Sequence, residues 1–249
     1  IKDLLSFDRE LSKTNLIIGT DEAGRGPGAG PVYAAAVYFP NYNKELEASL
    51  EELNDSKKLT PNKREKLFDI IKSNSIYSIN SISAEEIDKI NILQASLNAM
   101  KKSCEDVLSQ IKNPQNPKIL VDGKIKIRNT NIEQQTIVKG DSTSASIAAA
   151  SILAKVARDT FMIALAKEYP QYGWEQNKGY LTKAHLKAIK EHGITKWHRK
   201  SFLKNYIQGC SSPLQKIRNA MVSMSTMIIL STTDLSVSKN SNTTQKNSE

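Results

Sequence analysis

The chain has 249 residues, 39% hydrophobic and 24% charged, with a formal net charge of +9. That balance is globular and favours polyanionic partners, and two cysteines, Cys104 and Cys210, exclude a disulfide framework or a cysteine-built metal cluster. The most apolar late stretch, 220–230, is 11 residues, well short of the ~20 that a spanning helix needs, and the opening residues show no apolar signal segment, so a cytoplasmic protein without membrane contact is expected.

Residues 1–13 are mixed and polar and predict a short leading helix. Residues 16–21 read as a buried strand and 31–39 as a second, and the Gly/Pro-rich turn between them predicts a hairpin. Residues 41–58 are charged and read as a loop. Thr60-Pro61 starts a helix, with Thr60 as N-cap and Pro61 at the first helical position. Residues 75–82 alternate isoleucine with polar residues, the pattern of a half-buried strand. The stretch 84–112 predicts helix. Residues 118–122 form a short apolar strand ending on an acid, and 132–138 another, followed by Lys139-Gly140-Asp141. Residues 142–168 predict one long Ala/Ile-rich helix closed by Pro170. Thr182 opens a last helix, with Gly193 just past its end.

After residue 207 the character changes. Residues 231–249 are rich in Ser, Thr and Asn without an aromatic residue, and are expected to be disordered. There is no internal repeat. Strands followed by helices after an opening hairpin imply an α/β fold with a mixed sheet. Ligands in open α/β sheets gather at the carboxyl ends of strands, and Asp21 and Asp122 both sit at such ends.

The chemistry starts with Ile17-Ile-Gly-Thr-Asp-Glu-Ala-Gly-Arg-Gly-Pro27. Asp21 and Glu22 offer oxygen donors to hard divalent cations. Gly24 and Gly26 let backbone N–H groups approach a phosphate or sugar closely. Each acid has a plainer reading: Asp122 precedes Gly123 as a turn residue would, and Asp141 could simply cap the helix after it. Three element ends carrying acids on a basic chain are more specific than any one of them. Three or four carboxylates suffice to hold two divalent cations that cleave a phosphodiester. Asp159 is excluded, because 18 residues of continuous helix would put it ~27 Å from Asp141. The segment 178–204 holds eight Lys/Arg against one acid, Glu191. It reads as a solvated basic face or as a nucleic-acid contact, with Tyr172, Trp174, Tyr180 and Trp197 placed to stack on sugars or bases. His185, His192 and His198 are spaced too irregularly for a metal motif.

These segments resemble ribonuclease HII, the bacterial type 2 ribonuclease H. The matching residues are Asp21-Glu-Ala-Gly-Arg-Gly-Pro27, Asp55-Ser-Lys-Lys-Leu-Thr60, Val121-Asp-Gly123, Lys139-Gly-Asp141, the run from Ser146 to Asp159, Asn177-Lys-Gly-Tyr180 and His198-Arg-Lys-Ser-Phe202. The resemblance implies a ribonuclease H-like fold over 14–207, a five-stranded mixed sheet flanked by helices with a C-terminal helical part, and a C-terminal extension at 208–249. It implies a monomeric endonuclease acting on the RNA strand of RNA/DNA hybrids and on the 5′ side of single ribonucleotides in duplex DNA, leaving 5′-phosphate and 3′-hydroxyl ends. By the same resemblance Asp21, Glu22, Asp122 and Asp141 are catalytic and hold two divalent cations, Mn2+ or Mg2+. Gly24, Arg25, Gly26 and Lys57 would bind substrate, and Tyr180 would pack on the sugar at the ribo-to-deoxyribo junction. Two positions depart from the family's pattern. Gly28 stands where a larger residue is usual, which suggests a more flexible loop, and Leu181 stands where a small residue or proline is common.

Two rivals remain open at this level. A catalytically silent nucleic-acid binder would gain nothing from four acids. A nuclease of another substrate class would not need the combination of Gly24-Arg25-Gly26 with Tyr180.

Overall fold

Strand alternation organises the core. In this computed structural model, residues 2–50, 53 and 59–206 are described. Lys57 and everything from 207 onward, including the tail expected to be disordered, lie outside them. After α1 (Lys2–Leu11), the strands β1 (Leu16–Ala23) and β2 (Val32–Tyr38) form the predicted antiparallel hairpin. On β2, Ala35 and Val37 face one core and Ala34 and Ala36 the other.

Residues 41–58, read as a loop, contain a helix, α2 (Lys44–Ser49). Asn43 caps it by accepting from Leu46 N–H at 2.9 Å, Glu45 and Glu47 suit the positive end of its dipole, and Leu46 is buried. Thr60 caps α3 (Pro61–Asn74) as predicted, and β3 (Ile76–Ile82) pairs antiparallel with β2. The helical run 84–112 is two helices, α4 (Ala84–Ile90) and α5 (Ile92–Ser109). Asn91 breaks it with φ 67° while its side chain caps α5 at Gln94 N–H. Asparagine is one of the few residues that tolerates this left-handed φ.

The parallel strands β4 (Pro117–Asp122) and β5 (Glu133–Ile137) complete a five-stranded mixed sheet in the order β3-β2-β1-β4-β5. The central helix α6 (Ala145–Glu168) begins three residues later than predicted. Gly140–Ser142 form a tight turn, and Ser144, not Asp141, caps α6 by accepting from Ile147 N–H. Alanines at 145, 148, 149, 150 and 154 let α6 lie close on the sheet. At Gly19 a β-carbon would sit 2.3 Å from the Ser146 backbone, so any side chain there would force α6 away. The opposite face is covered by α5 through Leu97, Met100 and Cys104. Beyond α6 come α7 (Trp174–Asn177), α8 (Lys183–His192), capped by Thr182, and α9 (Lys200–Leu203). They form a separate helical core against the far half of α6.

Candidate active site

Alternation also selects which acids meet. Ile17 on β1 and Leu120 on β4 both pack on Ile147 of α6. Two residues further along each strand pair's common face come Asp122 and, four along β1, Asp21. The register pairs Thr20 with Val121, so Asp21 and Asp122 are the next residues of two parallel neighbours. Both carboxylates therefore emerge at the strand ends on the α6 side.

Asp21, Glu22 and Asp122 line one pocket of about 350 Å³. Burial pushes the Asp21 carboxyl well above the ordinary carboxylate range, and the charges of Glu22 and Asp122 push it further. Hydrogen bonds from Ser151 and from Glu22 N–H, the latter at 2.7 Å, oppose that shift. Burial also raises Glu22; Arg25, whose Nη1 lies 3.2 Å from Glu22 Oε1, opposes it, and Asp122 adds to it. Asp122 Oδ1 accepts from Gly140 N–H at 2.7 Å. Asp141, the next residue in that turn, is buried but does not line the pocket. Carboxylates that destabilise one another's charge are a fit donor set for hard cations, which remove the repulsion. As they stand, no three His, Cys, Asp or Glu side chains among the described residues are at metal-ligating spacing.

The Gly-Arg-Gly loop forms the next wall. Its carbonyls are turned inward onto two buried arginines. Arg199 Nη2 donates to Gly24 O at 2.7 Å, Nη1 to Arg25 O at 3.0 Å and Nε to Gly30 O at 2.9 Å. Arg158 Nε donates to Pro31 O, and its Nη2 to Ala29 O and Lys178 O. A β-carbon at Gly24 would sit 2.0 Å from Arg158 Nε, and φ there is +98°, so only glycine fits. Burial lowers both guanidiniums from their ordinary value, Arg199 to about 9. Neither is a solvated basic residue.

Tyr180 closes the pocket. Its side chain is 49% exposed, and a β-carbon at Gly26 would come 3.4 Å from its Cε1. The ring thus stands beside the Gly-Arg-Gly loop, in the pocket that holds the acids.

Residues 18–205 match the family Ribonuclease HII. The chain belongs to the ribonuclease HII family. Ribonuclease HII of Fusobacterium nucleatum subsp. nucleatum is 52% identical over 193 residues, covering 77% of this chain and 87% of that one. Among solved structures, the PCNA:RNase HII complex from Archaeoglobus fulgidus aligns with a TM-score of 0.59 and 26% identity, over 74% of this chain and 93% of that one. Bst-RNase HIII, solved in complex with Mn2+, shares the fold with a TM-score of 0.60 at 17% identity, over 78% of this chain and 70% of that one. The protein is a ribonuclease H enzyme with the fold that its motifs implied. No helix among the described residues is long and apolar enough to cross a membrane.

Within this ribonuclease HII framework several sequence readings need correction. Trp174 and Tyr172 are buried in the core under α8, and Trp197 packs on that core, so none of the three has the exposed ring that Tyr180 has. Arg199, counted with the basic face, is buried. His185 and His198, set aside as a metal motif from their spacing, nevertheless meet at 3.2 Å. Gly28 is not a loose point in the loop. Leu181 Cδ2 lies 2.5 Å from where its β-carbon would be, so the two departures from the family's pattern fill one space between them. Asp159 stays out of the pocket, as expected, and pairs with Lys155 at 2.8 Å. Sequence reading missed Ser151, Lys155 and Arg158 as pocket residues. Their spacing of three and four residues on one helix face was the available signal.

Proposed function

We propose that this ribonuclease H cuts the RNA strand of RNA/DNA hybrids and the 5′ side of single ribonucleotides embedded in duplex DNA, leaving 5′-phosphate and 3′-hydroxyl ends. The observation that carries the reading is the exposed Tyr180 ring beside Gly26, in the same pocket as three carboxylates. The 2′-hydroxyl is the group that separates RNA from DNA. A sugar lying on the Gly24-Arg25-Gly26 loop has backbone amides within reach of its 2′-hydroxyl and phosphate. The next sugar toward Tyr180 meets a flat ring, which suits a deoxyribose without a hydroxyl. Arg25, exposed and paired with Glu22, can move from that carboxylate to a substrate phosphate. Lys57 is proposed as a further phosphate contact.

Asp21, Glu22 and Asp122, with Asp141 in the turn that binds Asp122, are the residues to hold two divalent cations, Mn2+ or Mg2+. Such cations, when bound, supply the charge that activates water and stabilises the leaving oxygen. Gly140 N–H keeps Asp122 oriented, and Ser151 does the same for Asp21. The test is cleavage of matched duplexes with no ribonucleotide, one, or an all-RNA strand, with and without metal, with product ends mapped. Metal-dependent cutting of the second and third but not the first supports the reading. Equal cutting of the all-DNA duplex refutes it.

A further inference from the structure

A pair of buried histidines stands behind Tyr180. His185, on the first turn of α8, and His198, before α9, are each at most 2% exposed. Their hydrogen bonds have one consistent direction. Thr195 N–H donates to His198 Nδ1 at 2.9 Å, so that nitrogen is bare. His198 Nε2 must then carry the proton, and it lies 3.2 Å from His185 Nε2. Trp174 Nε1–H, which can only donate, also points at His185 Nε2, at 3.1 Å. His185 Nε2 is therefore bare and shared by two donors. The His185 proton sits on Nδ1, 2.9 Å from the Tyr180 carbonyl oxygen.

We propose that His198 and His185 are positioning residues: a neutral hydrogen-bond chain, Thr195 to His198 to His185 to the Tyr180 carbonyl, sets where the Tyr180 ring stands over the Gly-Arg-Gly loop. The Tyr180 backbone has further ties, from its own N–H to Asn177 O and from Thr182 N–H to its carbonyl. Its side chain is half exposed, at the edge of the pocket beside Gly26. Ring placement therefore depends on the backbone, and the imidazole is the only side chain among the described residues that grips that carbonyl. Tyr172 packs edge-on against both imidazoles. Burial lowers both histidines from their ordinary value, His198 to about 3, which agrees with a neutral chain.

The inference rests on the proposed role of Tyr180, and the experiment separates the two. An asparagine at 185 can place its amide nitrogen where Nδ1 stands, and a glutamine where Nε2 stands. Both lose the ring and similar packing, but only asparagine keeps a donor for the Tyr180 carbonyl. His185→Asn and His185→Gln are compared with Tyr180→Ala, each also in the Tyr180→Ala background, by rates on a single-ribonucleotide duplex and on a long hybrid. His185→Gln is expected to lower the ratio of the two rates by about two- to tenfold, the range of one lost hydrogen bond. His185→Asn is expected to keep the ratio, and neither should change it further once Tyr180 is alanine. Equal ratios for the two variants, or full additivity with Tyr180→Ala, would overturn the positioning role. If Tyr180→Ala alone changes neither rate, the substrate reading fails, and nitrogen NMR of the imidazoles judges the chain by itself. Near neutral pH it should show His185 protonated on Nδ1 and His198 on Nε2; any other pair of tautomers contradicts the chain.

Discussion

The two walls of the pocket put ionisable residues to opposite use. On the strand side, Asp21, Glu22 and Asp122 face the cavity, and burial together with neighbouring carboxylates disfavours the charges of Asp21 and Glu22. On the helical side, Arg158 reaches the cavity but, like Arg199 and His185 behind it, donates to backbone carbonyls, and His198 donates to His185. The first wall is arranged for chemistry at the expense of stability, and the second holds the loops that shape the first.

That comparison can be broken most directly at the carboxylates. Asp122→Asn keeps the acceptor for Gly140 N–H but removes a charge. Cleavage should fall by about a hundredfold or more, the scale of losing one electrostatic transition-state contact, while hybrid affinity at fixed salt stays nearly unchanged, because phosphate contacts dominate it. Its melting temperature should not fall. Retained turnover would remove Asp122 from the catalytic set.

The opposite pattern is expected on the helical wall. Arg199→Leu strands three carbonyls, and should destabilise the fold by about 3 kcal/mol or more in urea unfolding. Arg199→Lys should recover little, because an ammonium cannot match a forked set of acceptors. Lys187→Met on the exposed face of α8 should change stability by less than about 0.5 kcal/mol. Similar losses at 187 and 199 would show that burial does not separate them.

Two buried groups outside the pocket give a pH signature. Asp8 Oδ2 accepts from Ser146 N–H at 2.7 Å, but its Oδ1 has no hydrogen-bond partner among the described residues. Burial raises its carboxyl from 3.8 to about 6. Its contribution is thus full below about pH 4 and is lost as pH rises through 6. His198, lowered from 6.5 to about 3, contributes above pH 6.5 and loses that as pH falls. The two slopes oppose each other between about pH 4 and 6. Asp8→Asn should therefore be more stable than wild type by about 3 kcal/mol near neutral pH, with the advantage gone near pH 4. A constant difference across that range would exclude Asp8 as the titrating group.

A smaller effect belongs to the filled space beside the loop. Gly28→Ala should destabilise by about 1 kcal/mol, since Leu181 must shift. Gly28→Ala with Leu181→Ala should lie above the sum of the single changes in thermal unfolding, whereas simple additivity would mean the two do not share a space.

The hairpin, the cap at Thr60 and the acids at strand ends were legible because each has a local cause: alternation, a side-chain acceptor before a helix, and an apolar run that ends on a charge. The helix at Lys44–Ser49 was hidden by its charge, although Asn43 and the buried Leu46 explain it once seen. The break at Asn91 needed a φ that no periodicity reports. Arg199 and the histidine pair were not legible at all. The Arg199 partners are carbonyls distant in sequence, and a carbonyl has no residue identity by which to be read; the imidazole contact spans a turn between two helices and follows no strand or helix period.

The central claim is that Tyr180 reads the junction where ribose gives way to deoxyribose. Kinetics of Tyr180→Ala on a single-ribonucleotide duplex and on a long RNA/DNA hybrid, at matched salt and metal, test it most directly. Stacking of this kind is worth ~1–3 kcal/mol, so the loss on the lone ribonucleotide should reach up to about a hundredfold and exceed that on the hybrid. Equal losses on both substrates would contradict it.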